Sequence, residues 1–423
     1  MLKVCKFGGS SLCDSAAFAR VGQLVLSDPA RRVVIVSAAG RRHAADHKIT
    51  DLLYLCHAHL QYGVSCQALW RRVVDRYVEI RDGCGLSVPV ERIADGLYAE
   101  LSPHSAEAQL VSRGEYLCAR LMADLLGFTF IDAAEWLRFD AAGRVQREAS
   151  YAALRSLADG RKIVTPGFYG AAPDRSIRTL PRGGSDVTGA LCAAALGADV
   201  YENWTDVPGV LAADPAIVPD SAPVAQLSYD ALAALSHIGL QVLHEDAVAP
   251  VRQARIVLRI CSTREPELPG TLVRPHVEPE RRQVCFAGRR GVALLRLRCA
   301  QTDALVQPLT QAGLAPLCVS ALCGEAAALV PVGQATAQLH HVADQLRTQH
   351  GAQTLVLREN LSVLAALCPN SAAAAALVLA MEEQGVAVQA FLKSGALALM
   401  AVNDSQYAAA LRAAYAASCR LQR

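Results

Sequence analysis

Two short loops carry residue types that together could hold a phosphate and an acid. The first is Lys6-Phe7-Gly8-Gly9-Ser10-Ser11, where a lysine closes an apolar strand, two glycines follow, and a helical pattern begins near Ala16. The second is Arg182-Gly183-Gly184-Ser185-Asp186, again directly ahead of a helical pattern. With no Cβ in the way, backbone N–H groups at such turns can approach an anion. The following helix adds positive potential at its N-terminus, and a lysine supplies a movable point charge. Arg182 adds a fork matched to a carboxylate, and Ser185 adds a hydroxyl. Asp186, among groups suited to anions, needs a cationic partner; a lysine whose ammonium it orients is the expected one. The plain alternative is a helix cap, with Ser185 or Asp186 satisfying the first N–H groups of "VTGALC". A cap accounts for neither Arg182 nor the paired glycines. No GxxxxGK[ST] occurs, so this is not the Walker arrangement. Thr205 and Asp206 form a third candidate, at the end of an apolar run and ahead of the turn Pro208-Gly209, because ligands bind at the C-terminal ends of strands in open parallel sheets.

The elements that must position these loops alternate between strand and helix. "LKVCKF" reads as a strand, and "RRVVIVSAAG" as a buried parallel strand bounded by an arginine pair and a glycine. Helical patterns fill residues about 50–125; "FTFID" and "RKIVTPGFYG" return to strand character. "VTGALCAAALGA" reads as a small-residue helix ending at Gly197, and "DVYENWTDV" as another strand. This alternation predicts an α/β domain over residues 1–270, three layers around a mostly parallel sheet. A Pro-, Glu- and Arg-rich stretch then predicts a linker over 271–288. Beyond it the order strand, helix, two strands, helix occurs twice, which predicts two small α+β units at 289–358 and 359–423. Each is small for a free-standing core, so the two are expected to pack together or to pair across a dimer.

Composition excludes several classes. The 423 residues allow about two to four domains. The chain is 52% hydrophobic but only 5% aromatic, rich in Ala, Leu and Val, which excludes disorder. Forty-one basic against thirty-nine acidic residues leave a net charge of +2, too little to recruit nucleic acid or an anionic membrane. No apolar run reaches the ~18 residues of a membrane span and the first residues lack a signal-peptide layout, so a cytoplasmic location is expected. The 14 cysteines are scattered with no CxxC and read as buried thiols. His57 and His59 fall on different faces of a helix, and His340-His341 has no ligand cluster beside it. No protein-built metal site is expected.

Taken in order, "KFGGSS", "VIVSAAG", "KITDLL", "SRGEYLCARLMADLLG", "TLPRGGSDVTGALCAAALGAD", "WTDVPGVLAADP" and "VLHEDAVAPVR" resemble the aspartate kinases of the amino acid kinase family. The tandem C-terminal repeat is similar to their paired, ferredoxin-like ACT regulatory domains. The resemblance implies ATP-dependent phosphorylation of the β-carboxylate of L-aspartate to 4-phospho-L-aspartate, the entry to lysine, threonine and methionine. Lys6 would stabilise charge on the transferring phosphoryl group, with Gly8, Gly9 and Ser10 at the phosphates. Aspartate would be held by Ser37, Thr50, Glu115, Arg182 and Ser185, with Arg182 on a carboxylate and Glu115 on the ammonium. Thr205, Asp206, Leu211 and Gln241 would lie at the nucleotide, and Asp186 would organise the cations. Mg2+ would arrive with ATP. A homodimer through the ACT domains and an amino-acid effector are further implications.

The chain departs from the family pattern where a lysine usually precedes VLHP: Gln241 stands at the lysine position and Glu245 at the proline position. Ala216 replaces an arginine after Asp-Pro, and Leu211 replaces a tyrosine near the adenine. These departures leave open a catalytically weak amino-acid-binding regulatory protein. A separate alternative is another acyl-phosphate kinase of the same fold, acting on a carboxylate such as glutamate. In the regulatory half, the loop Ala300-Gln301-Thr302-Asp303 lacks the glycine-rich turn of effector-binding ACT copies, whereas Ser394 and Gly395 are retained.

Overall fold

The computed structural model describes every residue except 182, 241, 242, 244, 279–282, 300, 323, 334, 352, 422 and 423. Arg182, Gln241 and Ala300 therefore lie outside the described residues, as does the side chain of Glu245. The first strands are β1 Lys3–Phe7, β2 Arg31–Val36, β3 Thr129–Phe130, β4 Ile163–Pro166, β5 Tyr169–Ala171, β6 Ile177–Thr179, β7 Val200–Thr205 and β8 Gln226–Ser228. They are followed by β9 Val257–Ser262, β10 Thr271–Arg274, β11 Cys285–Leu297, β12 Cys318–Leu322, β13 Glu325–Pro331, β14 Leu355–Leu367, β15 Val388–Ser394 and β16 Leu397–Asn403. The helices are α1 Ser15–Leu26, α2 Ile49–Gln61, α3 Gln67–Gly83, α4 Val90–Ala99, α5 Glu107–Val111, α6 Arg113–Leu126, α7 Ala133–Trp136 and α8 Arg147–Ala158. After them come α9 Gly184–Leu196, α10 Tyr229–Ile238, α11 Glu245–Gln253, α12 Asp303–Gln311, α13 Thr336–His350, α14 Ser371–Glu383 and α15 Tyr407–Leu421. Contacts divide the chain into two units, Met1–Val210 with Leu243–Pro275, and Leu211–Val242 with His276–Arg423.

The first unit is built on strands in the order β3-β4-β2-β1-β7-β9-β10, all parallel except that β10 runs antiparallel to β9. Val33 to Val36 are buried because both faces of the sheet are covered. On one side α1, α2, α3 and α6 close over Cys5, Phe7, Val34 and Val36 in a single core. Side chains alternate along a strand, so Lys6, between Cys5 and Phe7, projects to the opposite side, where α9 packs on β1. Period-two alternation thus sends a lysine to the N-terminal end of α9. The packing of α9 is tight because its inner face is small: a Cβ at Gly189 would stand 2.4 Å from the Tyr201 hydroxyl.

The expected strand through 162–170 is broken. Gly167 and Phe168 part β4 from β5, and Phe168 takes φ +78°. The chain turns there into the antiparallel β5–β6 hairpin. Within the span expected as a linker, 271–274 is strand β10 and 285–288 opens β11.

The second unit holds an antiparallel sheet in the order β12-β13-β11-β14-β16-β15. Its two ferredoxin-like halves share the two central strands. One core takes Ala293, Leu295 and Leu297 of β11 with Leu355 of β14, under α12 and α13. The other takes Phe286 of β11 with Leu364 and Ala366 of β14, under α14 and α15. Each 13-residue strand therefore serves both halves, and a register shift between Arg289 and Val292 lets β11 change course. This sharing is how two units of about seventy residues escape the small-core problem. The sequence expectation of a mostly parallel three-layer domain followed by two ferredoxin-like units is met.

Candidate active site

A cavity of about 850 Å3 opens in the first unit at the C-terminal ends of β1 and β2, facing the first turn of α9. Of the residues singled out from sequence, Lys6, Gly9, Ser10, Ser37, Thr50, Glu115, Ser185 and Asp186 line it. Five separated stretches of chain converge here: the ends of β1 and β2, the first turns of α2 and α6, and the loop into α9. This is the position where open parallel sheets bind ligands.

The lysine beside Asp186 is Lys6, with Nζ 2.5 Å from Asp186 Oδ1. Both side chains are largely buried, 11% and 16% exposed, so neither is free to swing. Asn203 on β7 donates through Nδ2 to the same oxygen at 3.0 Å, and the Tyr201 hydroxyl donates to the Asp186 carbonyl at 3.0 Å. Asn203 thus fixes the carboxylate, Tyr201 its main chain, and the carboxylate fixes the ammonium.

The helix-cap reading of Ser185 and Asp186 is corrected. Helix α9 begins at Gly184, its N-cap is Gly183 at φ +76°, and no side chain caps it. The paired glycines have separate reasons: Gly183 takes a left-handed conformation, whereas a Cβ at Gly184 would stand 2.8 Å from Phe168 and 2.9 Å from Leu180. Gly9 likewise answers to backbone. A Cβ there would lie 2.6 Å from the Ala38 carbonyl oxygen, and the Gly40 N–H donates to the Gly9 carbonyl at 2.8 Å. The β1 and β2 loops touch main chain to main chain, which holds Ser10 and Ser37 on one wall. Gly8 lies next to Lys6 but does not line the cavity.

Glu115, on the first turn of α6, is the most unusual group of the site. It is 3% exposed, it accepts from the Ala38 N–H, and its Oε2 has no hydrogen-bond partner. Burial pushes its carboxyl up to about 8, against the opposing pull of that backbone donor. A desolvated carboxyl with one oxygen unpartnered, on the wall of a cavity, is suited to ionise against a cation from outside the chain.

The sequence reading missed Arg41, Lys48, Asp51, Tyr54 and Phe168, which also line the cavity. Arg41 lies 3.5 Å from Asp51, while Lys48 has no ion pair among the described residues. The loop that carries Arg41 and Lys48 is held from below by buried Arg76 of α3, whose guanidinium donates to the Gly40 carbonyl at 3.0 Å and to Asp46 at 2.7 Å. The signal available in sequence was the basic run before "KITDLL". Thr205 and Asp206 close β7 without lining the cavity; they share a hydrogen bond of 3.2 Å, and Asp206 lies 3.8 Å from Arg264. Leu211 belongs to the second unit. Among the described residues no group of three His, Cys, Asp or Glu could hold a metal ion, and no helix is long and apolar enough to cross a membrane.

The amino acid kinase family model matches residues 1–262. The chain belongs to the amino acid kinase family. Within it the chain is similar to aspartokinase 3 of Bacillus subtilis (strain 168), 36% identical over 288 residues, which is 64% of this chain and 63% of that protein. The match thus spans less than two thirds of that relative's length. The crystal structure of Clostridium acetobutylicum aspartate kinase superposes with a TM-score of 0.89 at 30% identity, covering 98% of this chain and 100% of that one. The fold is also that of E. coli aspartokinase III in complex with aspartate and ADP, with a TM-score of 0.73 at 22% identity and 99% of each chain covered.

Proposed function

We propose that this chain is an aspartate kinase, transferring the γ-phosphoryl group of ATP to the β-carboxylate of L-aspartate to give 4-phospho-L-aspartate. The product would feed lysine, threonine and methionine synthesis. The observation that carries the reading is Glu115: a buried carboxylate with an unpartnered oxygen, on the same cavity as the Lys6–Asp186 pair. An amino acid that brings its own ammonium to Glu115 turns its acid group toward Lys6. Ser37, Thr50 and Ser185 supply hydroxyls around it, and Arg182 takes a carboxylate.

The chemistry asks little of the chain beyond placement and charge. A carboxylate nucleophile with a pKa of about 4 is ionised at neutral pH, so no general base is needed. The site must align the γ-phosphoryl group and neutralise it as negative charge spreads over its oxygens. Lys6, held by Asp186, is the fixed cation for that task, with Gly8, Gly9 and Ser10 toward the phosphates. Thr205, Asp206, Leu211 and Gln241 are proposed at the nucleotide. Mg2+ bound to ATP would supply further neutralisation of the triphosphate.

In the second unit, the exposed side chains of Phe391 on edge strand β15 and Leu379 on α14 flank a groove of about 640 Å3. Such a surface supports a homodimer through the ferredoxin-like pair, with an amino acid as effector. The cytoplasm remains the proposed location. The assay for the activity is trapping of the acyl phosphate by hydroxylamine, with aspartate and glutamate compared at equal concentration. Hydroxamate from aspartate in preference to glutamate is the expected result; preference for glutamate would reassign the substrate.

A further inference from the structure

A second cavity in the first unit, of about 330 Å3, shares no lining residue with the first. It lies among α4, α5, the start of α6 and the β5–β6 hairpin. Its polar centre is Arg113, the first residue of α6, which is only 9% exposed. Nε donates to the Gln109 carbonyl at 2.8 Å, and the guanidinium lies over the rings of Tyr116 and Tyr169, 5.5 Å and 5.7 Å from their centroids. Two aromatic faces and a carbonyl therefore fix the plane of the group. Among the described residues neither Nη atom has a hydrogen-bond partner, and Arg113 has no ion pair.

A guanidinium held in one plane with no counter-anion turns its two free ends to the cavity, and they match the two oxygens of a carboxylate. A second cation stands on the same cavity: Arg175, at the turn of the β5–β6 hairpin with φ +65°, also without an ion pair among the described residues. The rest of the lining is mixed. Leu97, Leu101 and Ile177 offer hydrocarbon, and the exposed Glu100 offers one acid at the end of α4. The volume equals that of roughly ten water molecules, enough for a small organic acid.

We propose that this cavity binds a small carboxylate with an aliphatic body, its carboxylate on Arg113 and Arg175 and its hydrocarbon on Leu97, Leu101 and Ile177. Glu100 receives an ammonium when the ligand carries one. The site is independent of the phosphoryl-transfer reading, because none of these residues belongs to the first cavity.

Calorimetry on the full chain with isovalerate, L-leucine and inorganic phosphate tests this. Isovalerate and leucine are expected to bind saturably with Kd of about 1 mM or tighter, and leucine equally well to a Glu115→Gln variant, which removes the ammonium site of the first cavity. Arg113→Gln and Arg175→Gly each weaken both ligands roughly tenfold to a hundredfold, and Glu100→Gln weakens leucine alone. Glycine suits the positive φ at 175, so Arg175→Gly keeps its turn and decides the matter if Arg113→Gln fails to fold. The proposal is overturned if neither carboxylate saturates, if phosphate alone binds, or if affinity is unchanged in the folded arginine variants.

Discussion

Glutamine at position 115 is isosteric with the native glutamate and uncharged, so Glu115→Gln separates the cost of the buried carboxyl from its use. An ordinary glutamate ionises near 4.5, whereas burial holds Glu115 protonated up to about 8. Between those values the unfolded chain has released a proton that the folded chain retains. Stability therefore falls as pH rises from 4.5 to 8 and levels off above. A gap of that size corresponds to about 4–5 kcal/mol as an upper bound; water entry and side-chain relaxation reduce it to about 2–4 kcal/mol. Without substrate, Glu115→Gln should melt above wild type at pH 8.5, by roughly 5–10 °C for a unit of this size, and the difference should shrink toward pH 5. Aspartate binding should be lost in the variant. In wild type, binding an ammonium ionises Glu115, so titration at pH 7 in buffers of different ionisation enthalpy should report release of about 0.9 proton per aspartate. A variant no more stable than wild type at pH 8.5, or aspartate binding without proton release, would refute the assignment of Glu115 as the ammonium site.

Further expectations concern the scaffold. Glu202 of β7 is buried with Arg31 at 2.8 Å, Lys3 at 3.4 Å and Arg259 at 3.7 Å; Glu202→Gln takes away the carboxylate they share, leaving Asp28 beside Lys3 at 2.7 Å, and costs about 3–5 kcal/mol in denaturant unfolding. Those cations hold its carboxyl below the ordinary value against the cost of burial. Its stabilisation is thus complete above pH 4.5 and fades as pH falls through the lowered native value, so wild type should lose stability on acidification more steeply than the variant. Gly9→Ala drives a Cβ against the Ala38 carbonyl oxygen; a loss of about 1–3 kcal/mol in thermal unfolding is expected, and an unchanged melting temperature would show that the two loops move apart freely. Light scattering should return twice the mass of one chain, and Phe391→Glu should shift it toward a single chain.

Much of the catalytic unit was legible in sequence because its signals are local. A strand ending in Lys-Phe-Gly-Gly and an Arg-Gly-Gly-Ser-Asp loop ahead of a small-residue helix mark the two loops that meet in the structure. What lay out of reach depended on distant chain. Gly9 reads as room for a ligand, but its nearest obstacle is backbone thirty residues on, at Ala38. Arg41 and Lys48 reach the cavity because Arg76, on another helix, shapes their loop. Glu115 was singled out only through resemblance, since nothing local marks a glutamate whose carboxylate will be buried without a full set of partners. In the second unit the repeat was visible, whereas the sharing of β11 was not: its first residues, Cys285 to Arg290, follow a polar stretch that reads as a linker.

Hydroxamate formation from aspartate, ATP and Mg2+ in wild type and Lys6→Ala, with aspartate affinity measured calorimetrically on both, tests the central claim most directly. Wild-type turnover that falls by roughly 10²–10³-fold in Lys6→Ala is predicted, because the variant removes the fixed cation facing the transferred phosphoryl group. Equal silence of both proteins, with aspartate still bound, would contradict it and leave an amino-acid-binding regulatory protein in place of the kinase.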